Sequence, residues 1–207
     1  MNLDARWPFG ALAPATYRLI LADPPWYFRN YSNKGETKNP VSHYACMDGH
    51  TIQSLPVGAL AHPEGAALVL WATAPMLPQA LATMAAWGFA FKSAGSWAKQ
   101  SSSGKKWHFG TGYVYRSAAE FYLVGTRGRP HQIAHNVRNL IVAPVREHSR
   151  KPNAMRRDCE ALWPGPRVEL FARERAAGWD AWGDQADRFN DSAAQALSIS
   201  SSNLRNP

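Results

Sequence analysis

The chain of 207 residues is long enough for one domain with a sizeable core, and its 45% apolar and 18% charged residues exclude an extensively disordered protein. No apolar run approaches the roughly 20 residues that a membrane-spanning helix needs, so we expect no association with a membrane. The net charge of +8 suits a polyanionic partner, although general solubility would also explain it.

Apolar periodicity and turn signals predict strands that alternate with helices along the chain. The predicted strands are residues 18–22, 66–71, 89–99, 119–125, 139–143 and 167–171. The predicted helices are residues 51–62 with Thr51 as the cap, residues 75–87 with Gly88 just beyond the end, and residues 152–162 with Pro152 in the first turn. This alternation predicts an α/β fold with a mostly parallel central sheet and helices on both faces.

The chain shows no internal repeat and no linker that would divide it. We expect one domain over residues 1–189 and a disordered tail over residues 190–207, which is rich in Ser and Asn. The N-terminus lacks the layout of a signal peptide, and Cys46 and Cys159 share no metal-type spacing. We therefore expect a cytoplasmic protein with reduced thiols and no bound metal.

Ligands of such sheets bind beyond the carboxyl ends of the strands, which directs attention to residues 23–26, 71–73, 97–99 and 171–175. Two polar loops, residues 30–42 and 100–113, flank these positions in the sequence. The second loop carries basic residues between aromatic ones, a composition that suits a displaced base and its phosphates. The alternative is an exposed loop with no ligand.

The tetrapeptide Asp23-Pro24-Pro25-Trp26 directly follows the first predicted strand. The Asp23 carboxylate and the Pro24 carbonyl are adjacent hydrogen-bond acceptors, and two consecutive prolines fix the backbone that carries them. Together they can accept both hydrogens of the exocyclic amine of adenine, which aims the nitrogen lone pair at a methyl donor. Trp26 offers a flat face on which an extruded base can stack. The alternative is a tight turn in which Trp26 belongs to the core.

This tetrapeptide and eight further segments, in order, resemble the MT-A70 family of adenine-N6 methyltransferases, and most closely its bacterial and phage DNA adenine methyltransferase branch. The further segments are residues 43–47 (HYACM), 70–73 (LWAT), 97–99 (WAK), 112–113 (GY), 116–128 (RSAAEFYLVGTRG), 147–152 (EHSRKP), 169–173 (ELFAR) and 178–183 (GWDAWG). The resemblance covers residues 17–189. It implies a Rossmann-like methyltransferase fold in which the catalytic motif precedes the cofactor-binding strand.

The resemblance also implies a binding site for S-adenosyl-L-methionine. The implied cofactor residues are Ala22, Lys151, Phe171, Arg173, Asp184 and Gln185, with looser backbone contacts from Asp4 and Ala5. Near the target base it places Tyr44 and Glu120, although Glu120 could instead pair with Arg116 or Lys151. Lys105, Trp107 and Arg116 complete the expected substrate-binding set.

The sequence thus predicts a methyltransferase that uses S-adenosyl-L-methionine to methylate the N6 amine of adenine in DNA, with Asp23, Pro24, Pro25 and Trp26 as the catalytic residues. Two alternatives stay open: the same transfer to adenosine in RNA, and a non-catalytic relative that binds nucleic acid. No segment outside the predicted core is typical of a target-recognition domain. Sequence recognition would then come from the loops, from a homodimer or from an accessory specificity subunit.

Overall fold

The computed structural model describes residues 7–26, 47–112, 114–147 and 149–190. Over these ranges, seven strands form one sheet and three α-helices pack against it. The strands are β1 (Leu19–Ala22), β2 (Gly65–Ala72), β3 (Ala90–Gln100), β4 (Ala119–Gly128), β5 (Leu140–Pro144), β6 (Arg167–Leu170) and β7 (Asp180–Trp182). The helices are α1 (Gly49–Ser54), α2 (Leu77–Ala86) and α3 (Ala154–Leu162), and short 3-10 turns span Val57–Ala59 and Ala74–Met76.

The strand order across the sheet is β5-β3-β4-β2-β1-β6-β7. Strand β4 runs antiparallel to β2 and β3, and every other neighbouring pair is parallel. Strand β1 lies inside the sheet, where Ile20 pairs with Leu68 of β2 and Val168 of β6. All residues of β1 and β2 are buried, which explains their continuous apolar sequences. The predicted mostly parallel α/β sheet is confirmed.

Two apolar cores lie on opposite faces of the sheet, because successive strand side chains point to opposite sides. Ile20 belongs to the core that α1 and α2 cover, together with Met84 of α2. Leu19 and Leu21 belong to the other core, together with Met155 of α3. The prediction of helices on both faces is therefore confirmed.

The first helix is shorter than the sequence predicted, and Thr51 is not its cap. The cap is Asp48, whose carboxylate Oδ1 accepts the backbone N–H of Thr51 at 3.0 Å. The helix ends before Leu55, which is extended, because the following Pro56 disfavours helical geometry in the residue before it. Gly88 follows α2 with φ +80°, as expected for a helix terminator. None of the helices in the described ranges is long and apolar enough to cross a bilayer.

Candidate active site

The strand ends named from the sequence meet at one edge of the sheet. Asp23 directly follows β1, Trp71 lies near the end of β2, and Lys99 near the end of β3. Glu120 lies at the start of β4 and reaches the same edge because β4 runs in the opposite direction. Strand alternation places Asp23 on the same face as Leu21, which is the face that α3 covers.

Three of these groups, Asp23, Glu120 and Lys99, form a continuous ionic chain with Lys151. The Lys151 ammonium lies 2.9 Å from Asp23 Oδ2 and 3.0 Å from Glu120 Oε1. The Lys99 ammonium lies 2.7 Å from Glu120 Oε2, and Arg173 approaches Asp23 Oδ2 at 3.7 Å. We call Asp23, Lys151, Glu120 and Lys99 the central ionic chain. It joins the ends of three strands to the segment just before α3.

The central ionic chain keeps Glu120 and Lys151 charged despite burial. Burial alone would raise the pKa of Glu120, but the Lys151 and Lys99 ammonium groups outweigh it and lower that pKa to about 2. Burial alone would lower the pKa of Lys151, but the Asp23 and Glu120 carboxylates raise it above its usual value. Glu120 and Lys151 are therefore both held charged by their neighbours near neutral pH.

Aromatic rings pack against the two lysines of the central ionic chain. The Lys151 ammonium lies 5.5 Å from the centre of the Trp71 ring, and the Lys99 ammonium 4.9 Å from that of Trp97. Trp71 packs edge-on against Trp97 and Tyr122, at centroid distances of 6.4 and 5.5 Å. These rings take the place of water on one side of the central ionic chain. The lower local polarity strengthens the ion pairs of the central ionic chain.

The turn after β1 is held by hydrogen bonds, and Trp26 is part of what holds it. The Trp26 backbone N–H donates to the Pro24 carbonyl at 2.8 Å, and its indole N–H donates to the Trp71 carbonyl at 3.0 Å. The Trp26 ring is only 5% exposed and lies in the apolar core. The prediction that Trp26 offers an open face for base stacking is therefore wrong. Its burial matches the alternative, in which Trp26 is a core residue that anchors the turn.

A second set of buried charges lies beside the central ionic chain, and we call it the arginine–glutamate network. Arg150 bonds Glu174 and also both carboxylate oxygens of Glu147, the latter at 3.1 Å. Arg156 bonds Glu169 at 2.7 Å and Glu174 at 2.8 Å. Burial raises the pKa of Glu169, while Arg156 opposes that rise. These arginines are therefore neutralised inside the protein by glutamates.

Two residues at this edge have left-handed backbone conformations without being glycine. Ser149 has φ +64° and directly precedes Arg150 and Lys151. Phe171 has φ +58° and follows β6, two residues before Arg173. Such conformations cost on the order of 1–3 kcal/mol each and are concentrated at functional sites. Here they turn the chain so that the cations point toward Asp23.

Two cavities flank residues 171–175. The smaller has a volume of about 20 Å³ and is lined by Asp23, Trp71, Lys151 and Arg173, among others. The larger has a volume of about 490 Å³ and is lined by Arg175 and residues 181–188. That volume is in the range typical of small-molecule sites. The smaller cavity lies at the tetrapeptide edge of the sheet, and the larger one lies at β7 and the residues that follow it.

Comparison with known proteins decides the family. A family model described as MT-A70 matches residues 17–185. The chain belongs to the MT-A70 family. The family predicted from the tetrapeptide and the eight further segments is thereby confirmed.

The proteins similar to this chain have names that describe different functions. The chain is 28% identical to the Type II methyltransferase M.MunI of Mycoplasma sp over 193 residues, covering 84% of this chain and 80% of that protein. It is 30% identical to the N6-methyladenosine RNA methyltransferase MTA1 of Cryphonectria parasitica, covering 87% of this chain and 54% of that one. A putative N(6)-adenosine-methyltransferase of Medicago truncatula is 32% identical, covering 82% of this chain and 26% of the plant protein. The chain thus spans about half of the length of the Cryphonectria parasitica protein and about a quarter of the length of the Medicago truncatula protein.

Most of the expected MT-A70 cofactor residues line the two cavities. Lys151, Phe171 and Arg173 line the smaller one, and Asp184 and Gln185 line the larger. Ala22 does not fit: it is fully buried in the sheet and its side chain packs in the core on the opposite face. Its neighbour Leu21 faces the smaller cavity instead. Strand alternation explains the difference, since adjacent residues of β1 point to opposite faces.

The expected substrate residues are separated in the structure. Glu120 lies in the central ionic chain, so of its two suggested partners Lys151 is right and Arg116 is wrong. Arg116 instead lies over the Phe109 ring, 4.6 Å from its centre. Lys105, Trp107 and Arg116 are exposed on the connection between β3 and β4. The expectations for Tyr44, Asp4 and Ala5 lie outside the described residues.

Sequence reasoning missed several site residues. Lys99 and Trp71 were within the strand ends named for inspection, but neither was assigned a role. Arg156, Glu169 and Glu174 gave no signal, because their pairing depends on how α3 packs on β6. In the described part of the chain, no group of three or more His, Cys, Asp or Glu side chains is arranged to hold a metal ion.

Proposed function

We propose that this protein is a methyltransferase that uses S-adenosyl-L-methionine to methylate the N6 amine of adenine in DNA. The observation that carries this proposal is the position of Asp23. Its carboxylate lies at the end of a buried strand, beside the rigid Pro24-Pro25 turn, and is held by Lys151 at 2.9 Å. This geometry supports a fixed pair of acceptors for an aromatic amine.

The two acceptors keep free capacity for the amine. Lys151 and Arg173 both contact Asp23 Oδ2, and we assign Oδ1 to the first amine hydrogen. The Pro24 carbonyl accepts the Trp26 N–H and retains a second lone pair for the other hydrogen. Accepting both hydrogens localises the nitrogen lone pair. The same oxygens stabilise the positive charge that develops on the amine, and Asp23 is the nearest acceptor for the proton it then releases.

The larger cavity has room for part of the proposed cofactor. S-adenosyl-L-methionine supplies an electrophilic methyl group when bound. The larger cavity suits its nucleoside part, where Asp184 and Gln185 would bond ribose hydroxyls. The smaller cavity has room for about one water molecule, so it marks only a position beside Asp23 at which Lys151 and Arg173 would meet the charged methionine part.

The choice of DNA is supported by the extent of the matches. The match covers 80% of a type II methyltransferase, but only 54% and 26% of the two eukaryotic relatives described above. A chain of this size therefore corresponds most completely to an enzyme class that modifies DNA. The exposed basic residues of the β3–β4 connection suit either polymer.

Methyl transfer from labelled S-adenosyl-L-methionine to matched DNA and RNA oligonucleotides tests the proposal. We expect N6-methyladenine in the DNA, and transfer confined to RNA would overturn the choice of polymer. Calorimetric titration with the cofactor separates an enzyme from a non-catalytic relative, which would show no heat.

Asp23→Asn tests the assigned role of the carboxylate. It keeps the shape but weakens the acceptor, so we expect the transfer rate to fall at least about 10²-fold. Cofactor binding should change little, whereas the melting temperature should fall, because the buried Lys151 ammonium loses one of its two carboxylate partners. Wild-type turnover in this variant would contradict the assignment. Methylome sequencing of cells that express the protein would then give the recognition sequence.

A further inference from the structure

The connection between β3 and β4, described over residues 101–112 and 114–118, contains two hydrogen-bonded turns. The Ser101 N–H donates to the Lys106 carbonyl at 2.7 Å and closes the first turn. The Gly110 N–H donates to the Ser117 carbonyl at 2.9 Å and closes the second. We call residues 110–117 the tip turn.

The tip turn presents apolar side chains to solvent. Val114 and Tyr115 are 86% and 87% exposed, the highest values among the exposed large apolar residues described. The neighbouring Phe109 is also exposed, but Arg116 lies over its ring. An isolated exposed apolar side chain is ordinary, whereas two adjacent ones at the end of a projecting turn suit contact with a partner.

Two glycines make the tip turn tight. A Cβ atom at Gly112 would collide with the carbonyl oxygen of Tyr115, and one at Gly110 would lie 2.7 Å from the carbonyl oxygen of Ser117. The backbone strands of the turn therefore lie closer together than other residues would permit. A tight turn presents its side chains with little conformational freedom to lose on binding.

The base of the tip turn is joined to the active site. The Lys99 N–H donates to the Ala118 carbonyl at 2.8 Å, and Lys99 bonds Glu120 in the central ionic chain. Tyr115 lies three residues before Ala118, so its Cα is within about 11 Å of that anchored backbone. The tip turn therefore projects from the edge of the sheet at which Asp23 lies.

The charge of the connection identifies the class of partner. Residues 101–119 contain three cations, Lys105, Lys106 and Arg116, and no Asp or Glu. Lys105, Lys106 and Arg116 are all exposed. Exposed apolar side chains on a connection whose Lys and Arg charges are not opposed by Asp or Glu suit stacked bases and their phosphates.

Building on the proposed function, we propose that Val114 and Tyr115 form a wedge that enters a DNA duplex and fills the stacking position of the extruded adenine. An adenine inside a duplex cannot reach Asp23, and its extrusion costs unpairing and unstacking energy. Apolar side chains inserted between base steps offset that cost in other DNA-binding proteins. The wedge thus makes double-stranded DNA the substrate.

The experiment compares the double variant Val114→Ser/Tyr115→Ala with the wild type on three DNA substrates. These are a paired duplex, the same duplex with an abasic site opposite the target adenine, and the single strand. We expect single-turnover transfer to fall 10-fold to 100-fold on the paired duplex and less than 3-fold on the other two, where little unpairing is needed. Phe91→Ala is the matched control, because Phe91 is exposed at the opposite end of β3.

A second measurement is independent of turnover. A duplex with 2-aminopurine at the target position becomes fluorescent when that base leaves the stack, so wild-type protein should raise its fluorescence and the double variant should not. Equal loss of transfer on all three substrates, or wild-type activity on the single strand alone, overturns the wedge. A wild type that raises the fluorescence without transferring methyl to any DNA retains the wedge and refutes the proposed function. Unchanged fluorescence with the wild type refutes the wedge.

Discussion

Lys151→Met tests whether the central ionic chain stabilises the fold as well as the site. The substitution keeps the length of the side chain but removes the charge that lies 2.9 Å from Asp23 and 3.0 Å from Glu120. Lys151 and Glu120 are only 13% and 11% exposed, so solvent screens their interaction weakly. The buried carboxylates of Asp23 and Glu120 would then each lose one of their cationic partners.

The magnitude follows from these distances. At 3.0 Å and an effective dielectric constant of 20, one ion pair has a Coulomb energy of about 5.5 kcal/mol. Desolvation offsets much of it, and removing one partner of a buried pair typically costs about 3–5 kcal/mol. For a chain of this length, that loss would lower the melting temperature by roughly 6–20 °C.

The pH dependence has a definite sign. Burial would raise the pKa of Glu120, but the two lysines lower it to about 2, so its ion pairs stabilise the fold above the unfolded-state pKa of about 4.3 and fail as pH falls toward 2. The raised pKa of Lys151 means that its contribution is complete below about pH 10. The difference in stability between wild type and Lys151→Met should therefore be constant from about pH 6 to 9 and shrink below pH 4.

Chemical denaturation of four proteins provides the assay: wild type, Lys151→Met, Glu120→Gln and the double variant. We expect the double variant to lose at least about 1 kcal/mol less than the sum of the single losses, because the two residues contact each other. Lys92→Met, at an exposed position of β3, should change the free energy of unfolding by about 0.5 kcal/mol or less. Additive single losses, or a Lys151→Met loss as small as that of the control, would refute the reasoning.

Three further predictions concern the surroundings of the site. Trp26→Phe removes the indole donor to the Trp71 carbonyl, so urea unfolding should show a loss of about 1–3 kcal/mol, and an unchanged stability would argue against the anchoring role. Gln185→Ala, in the wall of the larger cavity, should raise the KM for S-adenosyl-L-methionine roughly 5-fold to 10-fold with little change in kcat, and a selective loss of kcat would speak against a cofactor role. Burial raises the pKa of Cys159, so in a Cys46→Ser background this thiol should resist iodoacetamide until the protein unfolds; rapid labelling of the native protein would contradict the described packing of α3.

The interior of the sheet could be predicted because β1 and β2 are buried on both sides. Continuous apolar sequences such as that of β2 have no other stable location in a protein of this size, and their alternation with helices indicates parallel pairing. Strand β7 was missed because Asp180–Trp182 is too short to show a period and forms only by pairing with β6. The end of α1 was misplaced because the effect of Pro56 on Leu55 is local and overrides the apolar spacing.

The site could be predicted only as far as local sequence determines it. The Asp23-Pro24-Pro25 turn is fixed by its own prolines, so its acceptors were evident from the residues. The role of Trp26 could not be predicted from the sequence, because a large aromatic side chain suits both stacking on a ligand and packing in a core. The partners of Glu120 were ambiguous for a related reason: Lys99 and Lys151 are 52 residues apart and meet only after β3 and α3 have packed.

Strand β1 lies inside the sheet and separates two strands on one side from four on the other. Under the two proposals, the side with β6 and β7 is the donor half, because it leads to the larger cavity, and the side with β2, β4, β3 and β5 is the acceptor half, because it carries the tip turn. Asp23 directly follows β1 and so lies between the two halves. Substitutions that change the preferred polymer could then occur in the acceptor half without altering the donor half. A chimera that exchanges only residues 101–118 with those of an RNA-methylating relative should accordingly retain its affinity for the donor and acquire a different acceptor.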